Sequence, residues 1–161
     1  MYLLSRVKEF LDNQKVPYTH HVHRTAYTAQ EVAAEEHVPG KMMAKTVIVK
    51  TGERLAMLVL PATARLDLDA ARRLTGSKEA RLASEIEFTG LFPDCDVGAM
   101  PPFGNLYNIP VFVDTVLTHD EEIVFNAGTH ADAVKMKYSD FTALAKPRVG
   151  RFSELRATAA A

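Results

Sequence analysis

The stretch AKTVIVKTGERLAMLVL, residues 44–60, decides the fold. It contains two runs rich in β-branched and aliphatic residues, 44–50 and 54–60, with Thr51-Gly52-Glu53 between them. Such runs favour strands, and a glycine between two of them favours a tight turn. The stretch therefore predicts a β-hairpin.

Elements on both sides of this hairpin mix helices with strands. Apolar residues recur at helical spacing over 2–13, and an extended segment follows over 17–23. Capping boxes at Thr28 and Ser84 predict helices over 29–37 and from 84 onward. A further helix is predicted to begin at a cap at Asp67 or Asp69 and to end at 74–76, and another is predicted over 140–146. Strands are predicted at 111–115, 121–126 and 133–137. Because regular βαβ alternation is missing, we predict an α+β fold with a mixed or mainly antiparallel sheet.

The length of 161 residues fits one domain. From Arg148 onward the core pattern is lost and the sequence ends in small residues. We therefore predict a domain over 1–147 and a frayed tail over 148–161.

Composition narrows the class of protein. A net charge of −1 excludes a generally basic nucleic-acid coat, although a local basic patch remains compatible with it, and no DNA partner is expected. The single cysteine, Cys95, excludes an internal disulfide and fits a reducing compartment. Neither a membrane-length apolar run nor a secretory pattern is found, so we predict a cytoplasmic protein with no membrane partner.

Lys45 stands in an unusual position for a lysine. Because side chains alternate along a strand, Lys45 shares a face with Val47 and Val49. One interpretation is a lysine presented inside a cleft to an anionic or carbonyl-bearing ligand. The other is a lysine near the strand's start whose ammonium reaches solvent along its aliphatic stem.

The loop GAMPPFG, residues 98–104, combines two glycines and two prolines with apolar side chains. Glycine adopts positive φ without penalty, whereas proline fixes φ and has no N–H donor. A buried connection would pack Met100 and Phe103 against the core. A rigid ligand-binding loop would instead bring bare backbone amides against a small molecule. The loop alone favours the buried connection.

Three other polar segments contain residue types that can act chemically. His130 ends the turn NAGTH, residues 126–130. One interpretation is a histidine that donates or accepts at near-neutral pH, and the other is an exposed histidine in a simple hairpin turn. The HHVH run, residues 20–23, has the His-x-His spacing of some metal sites without a further ligand motif, so we predict surface histidines on an edge strand. Neither a metal nor another cofactor is predicted. Cys95 is predicted to be structural, because Asp94 and Asp96 raise the pKa of a neighbouring thiol.

Three of these segments together resemble the YbaK/prolyl-tRNA-synthetase-associated domain family of aminoacyl-tRNA deacylases. They are Lys45 in residues 44–50, the glycine and proline of the GAMPP loop at 98–102, and the FNAG run at 125–128 followed by His130. Their order and rough spacing agree, and the resemblance covers about residues 2–147. It implies a mixed, partly barrel-like sheet flanked by helices. It also implies a free-standing member that hydrolyses wrongly charged tRNA in trans.

The resemblance assigns roles to individual residues. Lys45 matches the lysine that orients the 3′ end of the tRNA, and His130 matches a position that some subfamilies use. With Gly98 they form the predicted catalytic set. The predicted substrate-binding set is Thr46, Ala99, Met100, Pro101, Pro102, Phe103 and Gly128.

The chemistry implied by the resemblance needs no protein nucleophile. Water would attack the activated ester, assisted by the vicinal ribose hydroxyl, and amides of residues 98–100 would stabilise the oxyanion. Met100 and Phe103 would wall a pocket for a small amino acid: alanine, serine, threonine or cysteine. The predicted partners are mischarged tRNA, with tRNA(Pro) foremost, and prolyl-tRNA synthetase. The alternative is a non-catalytic tRNA-binding or synthetase-associated module on the same fold.

Overall fold

A computed structural model of the protein describes residues 5–23 and 42–155. Helix α1, Ser5–Asn13, and strand β1, Tyr18–Val22, come first. The predicted hairpin is confirmed: β2, Met43–Thr51, pairs antiparallel with β3, Arg54–Pro61. The helix predicted over 29–37 lies outside the described residues.

The remaining elements include the predicted helices and strands, each within a few residues, and four short strands at residues 64–66, 81–82, 148–150 and 153–155 that were not predicted. In chain order, the remaining elements are β4, Ala64–Leu66; α2, Leu68–Thr75; β5, Arg81–Leu82; α3, Glu85–Phe88; β6, Val111–Asp114; β7, Glu122–Asn126; β8, Asp132–Lys137; α4, Tyr138–Ala145; β9, Arg148–Gly150; and β10, Ser153–Leu155. Short 3₁₀ turns occupy Thr89–Leu91, Gly104–Tyr107 and Thr115–His119.

One mixed sheet organises these elements. Its strand order is β1-β8-β7-β2-β3-β6-β9, with β5 added to β2, and β10 pairs separately with β4. The pairs β2–β7, β3–β6 and β6–β9 are parallel, and the others are antiparallel. The predicted α+β class with a mixed sheet is confirmed.

Local capping explains where the short helices begin and end. Asp67, rather than Asp69, caps α2 by accepting a hydrogen bond from the N–H of Ala70 at 3.0 Å, and Gly76 ends the helix at φ 72°. The predicted capping box at Ser84 is confirmed, because the Glu87 carboxylate returns to the Ser84 N–H. Within the described ranges, no helix is long and apolar enough to cross a membrane.

The two faces of the sheet carry separate apolar clusters. One cluster contains Ala44, Ile48 and Phe125 and packs against α1 and the loop that follows α3. The other contains Val49, Leu58 and Phe152, with the partly buried Val47 against it, and packs against α2. Alternation along β2 thus puts Lys45 on the second face and Thr46 on the first.

The predicted frayed tail is wrong for residues 148–155. Here β9 pairs with β6, β10 pairs with β4, and Phe152 is fully buried between them. The buried Asp114 carboxylate accepts hydrogen bonds from the N–H groups of Phe152 and Ser153, each at 2.9 Å. These long-range contacts order a segment whose own sequence has no strong pattern.

Candidate functional site

The described strands leave an opening on one edge of β2, beside Lys45. On the edge of β2 away from β3, Met43 and Ala44 pair with β7, whereas Val49 and Lys50 pair with β5. Within the described residues, positions 45–47 have no strand partner on this edge. Lys45 is half-buried at this opening.

Two loops close over the end of β7 next to this opening. We call residues 94–104 the glycine–proline loop and residues 126–131 the asparagine turn. Asp96 N–H donates to the Gly128 carbonyl at 2.8 Å, and Gly128 N–H donates to the Ala99 carbonyl at 2.9 Å. The predicted site segments 98–102 and 126–130, about 30 residues apart in sequence, are therefore joined by direct backbone hydrogen bonds.

His130 holds the glycine–proline loop from the side. Its Nε2 lies 2.7 Å from the Val97 carbonyl oxygen, and since a carbonyl only accepts, Nε2 is the donor. A Cβ on Gly98 would lie 3.4 Å from the His130 ring, and Gly98 has φ +86°. This geometry places His130 directly against Gly98, and the catalytic role that the resemblance implied for it stays a prediction.

The backbone amides of the loop are not equivalent. Ala99 N–H donates to the Asp96 carbonyl at 3.0 Å, so this amide is already used, contrary to the expectation that all three amides of residues 98–100 face a ligand. Within the described part of the chain, the N–H groups of Gly98 and Met100 donate to no acceptor. Pro101 and Pro102 have no N–H. The N–H groups left for a ligand are therefore those of Gly98 and Met100, on either side of Ala99.

The side chains of the loop turn inward. Phe103 is fully buried, and its ring meets those of Phe10, Phe125 and Phe141 with centroids 5.5 to 5.6 Å apart. The expectation that Phe103 walls a substrate pocket is therefore wrong, because none of its surface is exposed. Met100 is 4% exposed and belongs to the same cluster, as the buried-connection interpretation predicted.

A buried carboxylate that the sequence analysis missed supports the asparagine turn. Asp132 is fully buried; its Oδ1 lies 2.5 Å from His20 Nε2, and its Oδ2 accepts from the Thr129 hydroxyl at 2.5 Å. His20 and Asp132 are 112 residues apart in sequence, so no local pattern could pair them. β1 is an edge strand, as predicted. His20, however, makes a hydrogen bond to the buried Asp132 carboxylate. Within the described residues, no cluster of His, Cys, Asp or Glu could hold a metal ion.

Cys95 has the surroundings of a structural thiol. Burial raises its pKa to about 11, a rise that Asp94 and Asp96 reinforce and that the Tyr107 hydroxyl, 3.6 Å from Sγ, opposes. The predicted direction is confirmed, with burial as its main cause. A thiol of this kind is protonated at neutral pH and is a poor nucleophile.

This pKa predicts slow alkylation of Cys95. Because only the thiolate reacts, raising the pKa from 9.0 to about 11 lowers the reactive fraction at pH 8 by about a hundredfold. Iodoacetamide labelling, followed by mass spectrometry, is expected to accelerate through pH 9 to 10 without a plateau. Rapid labelling at pH 7, or a plateau below pH 9, would contradict this environment.

Comparison with known proteins identifies the family. The family model for the aminoacyl-tRNA editing domain matches residues 23–144, which include the opening in the sheet, the glycine–proline loop and the asparagine turn. The chain belongs to this family. The predicted resemblance is confirmed, and the residues that carried it lie inside the matched range.

A curated relative of this editing domain is the multifunctional Ser/Thr-tRNA deacylase ProXp-y of Escherichia coli (strain K12). It is 32% identical over 97 residues, which cover 60% of this chain and 58% of the relative. The match thus spans less than two thirds of the relative's length.

Two solved structures share the fold of this editing domain. A hypothetical protein superposes with a TM-score of 0.84 at 23% identity, covering 93% of this chain and all of its own. A protein described as a candidate trans-editing enzyme for prolyl-tRNA synthetase superposes with a TM-score of 0.81 at 22% identity, covering 92% and 95%. At 22–23% identity, these superpositions show that the fold is shared.

Proposed function

We propose that this editing domain is a trans-acting hydrolase that cleaves the ester bond of mischarged aminoacyl-tRNA. The observation that carries the proposal is the pair of N–H groups of Gly98 and Met100, which donate to no acceptor among the described residues and belong to a loop fixed beside the opening at Lys45. Hydrogen-bond donors held rigidly in this way are suited to a developing oxyanion.

The reaction needs few protein groups. An aminoacyl ester is already activated, so a positioned water molecule can attack its carbonyl carbon, with the vicinal ribose hydroxyl assisting proton removal. Gly98 and Met100 N–H would stabilise the oxyanion, and Lys45 would bind the terminal phosphate or ribose. The high pKa of Cys95 supports a mechanism without a protein nucleophile.

The substrate we propose is tRNA(Pro) carrying a small amino acid: alanine, serine, threonine or cysteine. The relative named as a Ser/Thr-tRNA deacylase favours hydroxyl-bearing amino acids within this set. Cooperation with prolyl-tRNA synthetase is part of the proposal, since a solved protein of the same fold is described in those terms.

A panel of charged tRNAs tests the proposal. The purified chain is incubated with tRNA(Pro) charged with alanine, serine, threonine, cysteine or proline, and with the cognate tRNA of each amino acid; loss of labelled ester is followed. We expect hydrolysis of at least one mischarged tRNA(Pro) and sparing of Pro-tRNA(Pro). Salt-dependent tRNA binding without turnover would instead favour the non-catalytic module.

A further inference from the structure

Asn126 carries a buried amide oxygen that has no hydrogen-bond partner among the described residues. The residue is 9% exposed, and its Oδ1 is buried without a hydrogen bond. Leaving such a group unpaired is costly, and native proteins contain few of them. An acceptor kept in this state at the end of a strand, beside an open site, is available to a ligand.

The register of the sheet places Asn126 next to Lys45. Ala44 pairs with Phe125 in the parallel β2–β7 ladder, and their side chains share one apolar cluster. One residue further along both strands, alternation puts Lys45 and Asn126 together on the opposite face. Among the described residues the β2–β7 ladder ends at Ala44 and Phe125, so Lys45 and Asn126 are the next residues along the two strands.

Lys45 and Asn126 offer complementary chemistry. A lysine ammonium only donates and attracts phosphate, carbonyl or ribose oxygens, whereas Asn126 Oδ1 only accepts. The aminoacyl end of a tRNA has one donor group that distinguishes a free amino acid from an N-blocked one, which is the α-amino group. Its carbon is bonded directly to the ester carbonyl that the loop amides would hold.

We propose that Asn126 binds the free α-amino group of the esterified amino acid, so that N-acylated esters are poor ligands. This inference rests on the proposed function for the identity of the substrate. It implies that the site discriminates against peptidyl-tRNA and other N-blocked esters because acylation removes the ammonium charge and two of its three N–H donors, as well as by size. The ribose hydroxyl and the attacking water are also donors, but they are present with free and with N-blocked esters alike, so binding them would not distinguish the two.

A binding experiment separates this inference from turnover. Hydrolysis-resistant 3′-seryl- and 3′-alanylamino-3′-deoxyadenosine, each with a free or an acetylated α-amino group, are titrated into the full chain by calorimetry. We expect the free-amine forms to bind at least tenfold more tightly, and the Asn126→Leu variant to bind both forms equally. Equal binding of both forms by the unaltered chain, or binding of neither, overturns the inference.

Kinetics and stability then distinguish recognition from a structural role. Asn126→Leu replaces an unpaired amide with an apolar group of similar size, so its Tm is expected to equal or exceed that of the unaltered chain. Its kcat/KM is expected to fall at least tenfold on free aminoacyl-tRNA and to stay within twofold on the N-acetylated form. The control is Asn105→Ala, an exposed asparagine that directly follows the glycine–proline loop and donates to the Leu144 carbonyl. A lower Tm with equal losses on both esters overturns the inference.

The proposed function can fail independently. If the unaltered chain hydrolyses no charged tRNA but still prefers the free-amine analogues through Asn126, the proposal of catalysis falls and the inference about Asn126 stands. If it hydrolyses mischarged tRNA but does not discriminate between the analogues, the proposal of catalysis stands and the inference about Asn126 falls.

Discussion

Replacing Lys45 with alanine is expected to lower kcat/KM for deacylation at least a hundredfold and to leave the fold intact. Removing one preorganised electrostatic group typically costs about 10²–10³ in rate. Lys45 is only half-buried and lies at the start of β2, so its loss does not empty the core. The measurement is single-turnover deacylation of mischarged tRNA(Pro), with circular dichroism and Tm as checks on folding.

The same strand supplies a matched control. Lys50 lies near the other end of β2 on the opposite face, where it forms an ion pair with Glu87 at 3.0 Å. Lys50→Ala is expected to retain activity within about twofold, since Arg81 and Ser84 still bind the Glu87 carboxylate. Full activity of Lys45→Ala, or equal losses in the two variants, would contradict the role given to Lys45.

A conservative variant distinguishes charge from shape. Lys45→Arg keeps the positive charge, whereas Lys45→Met keeps most of the length and loses the charge. If Lys45 attracts a phosphate or ribose oxygen, the arginine variant should retain more activity than the methionine variant. The difference should shrink as salt increases, because ions screen this attraction.

Most of the fold could be predicted from local sequence signals. The hairpin from β2 to β3, the caps at Asp67 and Ser84, and strands β6 to β8 all depend on residues near one another in the chain. Periodicity and capping report such interactions directly. The segment 148–155 gives no local signal, because its order comes from pairing with β6 and β4 and from Asp114.

The candidate site could be predicted only in part. The face of Lys45 followed from strand alternation, and the likeness of three separate segments indicated that they act together. The hydrogen bonds that join Asp96, Gly128 and Ala99 depend on the tertiary path of both loops, so the sequence could not reveal that Ala99 N–H is already used. Asn126 had a detectable signal, since it lies in the FNAG run, but its burial without a partner is visible only in the structure.

Replacing Phe103 with alanine is expected to lower the free energy of unfolding by about 3–5 kcal/mol. The ring is fully buried among three other aromatic rings in edge-on arrangements, which add to the burial term. For a domain of this size the loss corresponds to a fall in Tm of roughly 6–20 °C. Urea and thermal unfolding measure it, with Phe103→Leu as a milder control.

This variant also decides between the two roles that the loop sequence allowed. If Phe103 walled a substrate pocket, alanine would enlarge the pocket and let larger amino acids react, with little change in stability. Because its ring instead anchors the glycine–proline loop to the core, we expect the order of preference among charged tRNAs to stay the same. Deacylation below the lowered Tm should slow for every substrate alike, since Gly98 and Met100 N–H lose the support that fixes them. A free energy of unfolding within about 1 kcal/mol of that of the unaltered chain, together with a changed amino-acid preference, would contradict the anchoring role and show that Phe103 lines the substrate pocket.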